Sequence, residues 1–314
     1  MTSNQAAPPS GRMTETEFRA LYDQLRAQVP WGSDDRRGGL NYLGPAEITA
    51  AAAEVRLGRN VSLEFPVGHQ VSADNPDPAQ HRMVASPGAD ADGLAFAADR
   101  IAMNIHGDAD SHIDALCHVS FDGMLYNGVP ATAVTSAGAT ELSITTAANG
   151  IVGRGVLLDV PRSRGIAWLE PGDNVTPDDV AAAERDQGVR MGKGDIALIR
   201  VGHSRRRKEH GPWDAAEIRA GLHPFVVPLL AERQIAVLGS DSNSDTAPSV
   251  TDGVDFPVHV LAINALGLLL MDYLMLDDLA ALCEQQKRWS CLVVVAPLRL
   301  PTGTGSPVNP IAVL

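Results

Sequence analysis

Between positions 106 and 118 the chain reads His-Gly-Asp-Ala-Asp-Ser-His-Ile-Asp-Ala-Leu-Cys-His, with three His and three Asp among thirteen residues. A solvated loop does not need that density, and an apolar interior tolerates it only when the groups are paired or hold an ion. Imidazole nitrogens mixed with carboxylate oxygens suit zinc, manganese or iron(II) better than calcium, which prefers oxygen alone. Two or three such ligands leave coordination positions open, as catalysis requires. Asp108 and His112 are four apart, Asp114 follows at two and His118 at four again. Residues two apart diverge on a helix but share one side of an extended chain. The spacing therefore predicts a strand edge or loop over 108–114, running into a turn of helix that returns His118 to the cluster. His106 precedes this pattern and is read as lying outside it. Taken alone, the residues fit a metal site and a set of turn formers and helix caps equally well.

The same stretch resembles the signature of the cyclase family of metal-dependent hydrolases, which includes kynurenine formamidase, isatin hydrolase and trans-dienelactone hydrolase. Its pattern is His-x-Gly-Thr-His-x-Asp-x-x-x-His, and His112, Asp114 and His118 fall on the last three functional positions. Ser111 replaces the threonine, Asp110 stands at the glycine and Asp108 at the first His. An Asp can still ligate, which leaves open whether one ion or two are held. Other stretches agree in order: Trp31 to Leu43 near the N-terminus, Phe256-Pro-Val-His259, Gly267 to Leu274 with Asp272 where the family often has Glu, and Ala296 to Pro310. The resemblance covers roughly residues 30 to 314.

The resemblance implies an α/β fold. It is a single domain, 13–314, with a central, mostly β, barrel-like layer flanked by helices and assembled as a homodimer or homotetramer. It also implies a divalent metal, zinc or manganese first, held by Asp108, His112 and Asp114. His259 and Asp272 would bind a second ion or orient a proton relay, and His118 would act as general base. The reaction it suggests is hydrolysis of a small-molecule amide or ester, lactones and lactams included, because a bound ion lowers the pKa of water from 15.7 toward about 7 and polarises a carbonyl. The alternatives are a metal-dependent lyase or cyclase working through an enolate, and a metal-binding protein without turnover. Serine catalysis lacks a Gly-x-Ser-x-Gly elbow. Cys117 as nucleophile is weighed against simple packing beside Leu116.

Composition bounds these readings. A chain of 314 residues with 45% apolar side chains can cover a large core. A net charge of −13 argues against a nucleic-acid partner, and Arg205-Arg-Arg-Lys208 reads as a solvated helix end or an anchor for an anion or subunit. Three scattered cysteines fit a reduced cytoplasm rather than a disulfide framework. No leader-like apolar segment is present, and the apolar run Val258 to Leu276 carries His259, Asn264 and Asp272. It reads as a buried helix followed by a strand, not a membrane span.

The elements that must position the cluster follow from pattern. Residues 1–12 are polar, with Pro and Gly, and read as a disordered tail. Thr14 caps a helix with Phe18, Leu21 and Leu25 on one face, and Pro45 opens an Ala-rich helix ended by Gly58. Residues 70–98 lack periodicity and are expected to form a lid or pocket wall, with His81 as a substrate contact. Ala98 to His106 is expected to be the strand that delivers the cluster. Tyr126 and Asn127 are read as pocket lining or a hairpin tip. Buried strands are expected at Gly153 to Val160, Asp195 to His203, Ile235 to Asp241 and Leu292 to Pro297, and helices from Thr176 and over Val226 to Leu230. His203 and Asp241, at strand ends, are candidates for a site rim or for support behind a ligand.

Overall fold

A computed structural model describes residues 11–88 and 93–314. Nearly all of the expected tail, residues 1–10, lies outside them. Helix α1 (Glu15–Gln28) begins in a capping box: Glu17 N donates to Thr14 Oγ1 while Thr14 N donates to Glu17 Oε2. It buries Phe18, Leu21, Tyr22 and Leu25. Helix α2 (Pro45–Ala52) stops six residues short of Gly58. Beyond it, Leu57 N and Arg59 N turn to the carbonyl of Leu314, so pairing with the C-terminal strand replaces helical bonding.

Eleven strands carry the argument: β1 (Asn60–Ser62), β2 (Gln80–Ala85), β3 (Ala98–Ala102), β4 (His112–Asp114), β5 (Ile151–Asp159), β6 (Ile196–Arg200), β7 (Val237–Ser240), β8 (Leu269–Asp272), β9 (Ser290–Val295), β10 (Gly305–Pro307) and β11 (Ile311–Val313). Nine of them form one curled sheet in the order β1-β11-β9-β5-β6-β7-β8-β4-β10, a half-barrel flanked by helices. Its centre, β5 to β8, is parallel, and its flanks are antiparallel. Parallel strands are covered on both faces, which is why Ile196–Arg200 is buried at every position and reads as an apolar run up to its terminal Arg200.

The covering helices are α3 (Val160–Arg164), α4 (Pro177–Gln187), α5 (His203–His210), α6 (Val226–Glu232), α7 (Pro257–His259) and α8 (Asp277–Gln286). Thr176 and Asp179 close a second capping box on α4. Helix α7 runs directly into a π-helical turn, Val260–Leu266, whose Asn264 donates to the carbonyls of Val119 and Met124 and accepts from Tyr22. The expected buried helix and strand over 258–276 is thus present, and its wide turn fastens the chain just after His118. Among the described residues no helix is long and apolar enough to cross a membrane.

Two expectations need correction. The strand before the cluster ends at Ala102 and pairs only with β2, in a hairpin exposed on every residue. Its apolar Met83, Val84 and Ile101 stay more than half exposed among polar and charged neighbours. His118 is brought back by a turn, His118 N donating to the carbonyl of Ala115, rather than by a helix.

Candidate metal centre and cavity

His112 and Asp114 sit two apart on β4 and point to one side. β4 lies between β8 and β10, in a register that sets Asp272 opposite His112 and Gly305 opposite Asp114. The approach at Gly305 is too close for any side chain: a Cβ there would stand 2.6 Å from the carbonyl oxygen of Ile113 and 2.7 Å from the His106 ring. Glycine at this point lets His106 fold over the strand.

Two overlapping donor groups result, His106 with His112 and Asp114, and Asp114 with His259 and Asp272; within each, the ligand atoms lie within 4.8 Å of one another. His106 Nδ1 is 2.8 Å from Asp114 Oδ1, and its Nε2 is 2.9 Å from Thr304 Oγ1. His112 donates Nδ1–H to the carbonyl of Asp110 at 2.9 Å, which leaves Nε2 facing Asp114 at 3.8 Å. His259 Nε2 lies 3.4 Å from Asp114 Oδ2 and 3.5 Å from Asp272 Oδ2, while its Nδ1 is held by Asp245. Asp272 Oδ1 accepts from Ser244 N and Oγ. Asp114 Oδ2 and Asp272 Oδ2, by contrast, are buried without any hydrogen-bond partner. Two orphaned carboxylate oxygens beside an imidazole nitrogen turned toward both are the environment a divalent cation satisfies, so the residues fit the metal that the sequence implies.

The charges of these groups are interdependent. Burial works against ionising Asp114, but His118, His106, His259 and His112 around it more than offset that and hold it well below the usual carboxylate range. Burial, and then repulsion from Asp114, push Asp272 upward. Burial opposes a charge on His259 too, yet Asp114, Asp245 and Asp272 raise it well above the ordinary value. His118 stacks on His106 with ring centres 3.8 Å apart, and its Nε2 is 4.0 Å from Asp114 Oδ1. Burial, with His106, His259 and His112 nearby, lowers it to about 4, so it is neutral at physiological pH.

These groups open onto a cavity of about 600 Å³, lined by His106, Asp108, His118, Phe121, Asn243 and Phe256 among others. Among the described residues none of 70–98 lines it. Gln70, Val71, Ser72 and Asn75 instead line a neighbouring cavity with Asp110 and Arg207, and His81 pairs with Asp99 on the exposed hairpin.

The structure brings His112, Asp114, His259 and Asp272 together with His118 beside them. Asp108 is grouped differently: its Oδ1 accepts from the Tyr273 hydroxyl at 2.7 Å, and it stands in the cavity wall outside both donor groups. His106, read as outside the pattern, is inside it. Asp241 lies away from the donors, receiving Val201 N, Gly202 N and His203 N at the start of α5. Asp245, Ser244 and Thr304 were not singled out from sequence, and only the polar run 242–245 hinted at the first two. Tyr126 and Asn127 turn from the cavity to hold Asp35 and the carbonyls of Gly32 and Ser33. Cys117 is buried, and burial pushes its thiol up to about 11, which disfavours it as a nucleophile.

No curated protein matches this sequence. Among solved structures, one described as a novel cyclase is 31% identical, covers 93% of this chain and 99% of its own, and superposes with a TM-score of 0.84. Isatin hydrolase A from Labrenzia aggregata, bound to benzyl benzoate, is 22% identical over 83% of this chain and 94% of its own, with a TM-score of 0.59. A structure from Bacillus stearothermophilus described as a predicted metal-dependent hydrolase is 18% identical over 81% of this chain and 97% of its own, with a TM-score of 0.51. The sequence model of the Cyclase family matches residues 40–245, about two thirds of the length, and the chain belongs to that family.

Proposed function

We propose that the protein is a metal-dependent hydrolase that opens the amide or ester bond of a small molecule, lactams and lactones included. One observation carries this reading: Asp114 and Asp272 present unpartnered buried oxygens to His259 Nε2 beside an open cavity. The names of the similar structures, isatin hydrolase and metal-dependent hydrolase, support the same class.

His112, Asp114, His259 and Asp272 would hold the ion, with His106 as the fifth donor where Asp108 was expected. The chemistry such an ion supplies is polarisation of a carbonyl and acidification of water. The remaining work falls to the chain. Asp245 and the Asp110 carbonyl each take a ring N–H, fixing which nitrogen of His259 and His112 faces the donors. His118, neutral and beside the cavity, can accept a proton at Nε2 from the attacking water and return it to the leaving nitrogen or oxygen. Val119, Phe121, Val254 and Phe256 would exclude bulk water around the substrate. Zinc or manganese suits the donors, and a homodimer or homotetramer in the cytoplasm remains part of the proposal.

The test is metal analysis of the purified protein, followed by a lactone, lactam and linear amide panel before and after chelation. Turnover that depends on restored metal and incorporates one oxygen from labelled water supports hydrolysis. Metal-dependent turnover without oxygen incorporation points to the enolate lyase, and bound metal without turnover to a non-catalytic binder.

A further inference from the structure

Lys and Arg are both missing from the cavity lining among the described residues, whereas two carboxylates, Asp108 and Asp255, stand in it in addition to the buried donors. We infer that the site selects substrates with no negative charge, and favours those carrying an amine, amide N–H or hydroxyl close to the scissile carbonyl, with Asp108 as the residue that reads this group. The inference rests on the hydrolase reading for the carbonyl and adds the class of molecule that bears it.

The charge balance leads there. A single divalent ion among the donors is matched by Asp114 and Asp272 alone, so Asp108 and Asp255 remain in excess. A carboxylate or phosphate on the substrate would meet them with no guanidinium or ammonium in the wall to answer it, and like charges juxtaposed in this way oppose binding. The nearby arginines are already committed. Arg12 pairs with Asp252, Arg19 with Glu15 and Asp122, and Arg219 donates to the carbonyls of Ala215, Ala216 and Asp245.

Asp108 is also built for the role. The Tyr273 hydroxyl takes one oxygen at 2.7 Å and fixes the carboxylate plane. Tyr273 is itself fully buried and anchored through its backbone, its carbonyl accepting from Ser111 Oγ at 2.5 Å and its N–H donating to the carbonyl of Ser242 at 3.1 Å. A carboxylate held by one oxygen on a rigid tyrosine keeps the other free to accept from a ligand. Apolar Val119, Phe121, Val254 and Phe256 share the wall, so the complementary molecule has an apolar body and one donor group.

The experiment uses one amide or lactone scaffold in three forms, substituted with an amine, a methyl and a carboxylate. Binding of non-hydrolysable versions is measured by calorimetry beside kcat and KM. The metal-loaded protein should bind and turn over the amine and methyl members at least about tenfold better than the carboxylate, the difference lying in KM. Asp108→Asn keeps an acceptor for Tyr273 and removes the charge; it should shrink the amine-to-carboxylate ratio at least about fivefold with metal content unchanged. Preference for the carboxylate member, or loss of metal from Asp108→Asn, overturns the inference. Charge-ranked binding without turnover of any member supports it while removing the hydrolase reading.

Discussion

His259 Nδ1 stands 2.6 Å from Asp245 Oδ2, and the same carboxylate accepts Val258 N at 2.6 Å and His259 N at 3.0 Å. One side chain thus caps the start of α7 and points the opposite ring nitrogen at Asp114 and Asp272. Supporting groups of this kind typically change metal affinity about 10–100-fold. Asp245→Asn is expected to weaken metal binding by that much in a chelator competition, while far-ultraviolet circular dichroism stays unchanged.

The grouping of His106 with His112 and Asp114, and of Asp108 with Tyr273, separates two residues only two apart. His106→Ala should reduce metal affinity at least about tenfold, and Asp108→Asn should leave it within about twofold. Equilibrium dialysis with metal analysis of both variants reads the difference.

His118 reaches the cavity without belonging to either donor group. His118→Ala should lower kcat about 10²–10⁴-fold, the usual range for a lost proton-transfer group, with metal content near normal. Loss of metal together with unchanged residual turnover would assign His118 to binding instead.

His203 is buried between the rings of Trp213 and Tyr273, and burial lowers it to about 4 although Asp74 pulls the other way. The unfolded chain therefore binds a proton at this residue, and the folded one does not, between pH 6.5 and 4. Its contribution is fully present above pH 6.5 and is lost as pH falls toward 4, on the order of 3 kcal/mol in all. Chemical denaturation across that range should show the slope, and His203→Phe should flatten it.

Much of this arrangement is legible in the residue order because local rules set it. Thr14 with Glu17 and Thr176 with Asp179 are capping boxes that three-residue spacing alone announces. The central strands are mostly apolar because parallel strands are covered on both sides, with polar residues such as Asp159, Arg200 and Asp272 at their ends. His106 escaped because spacing was judged along a regular strand, whereas residues 103–111 are irregular and let five intervening positions shrink to ring contact. Asp241 was favoured over Asp245 because it ends a strand. Nothing in sequence ties Asp245 to His259, fourteen positions on; that contact exists only because α7 begins where the loop after β7 passes. The excursion over 70–98 lacked the apolar alternation of a covered strand, and the hairpin found there is exposed on both faces.

Gly38 sits at φ +52, where an added Cβ would lie 2.0 Å from the carbonyl oxygen of Gly267, the acceptor of Gly39 N. At Gly267, φ +71, an added Cβ would lie 2.5 Å from the Tyr126 ring. Gly38→Ala should destabilise the fold by at least about 2 kcal/mol, through left-handed backbone strain and a clash that backbone must absorb. A urea midpoint shift measures it.

β4 spans three residues and has its partners far along the chain, in β8 and β10. During synthesis on the ribosome His112 and Asp114 therefore wait for their strand neighbours until Leu269–Asp272, and then Gly305–Pro307, have emerged. An amino-terminal fragment that stops before Pro257, however long its helices, lacks His259 and Asp272 and with them one of the two donor groups. The two donor groups therefore become complete only when a segment far beyond β4 in the chain docks against it, so the site is a property of the assembled sheet and not of the short motif that announces it.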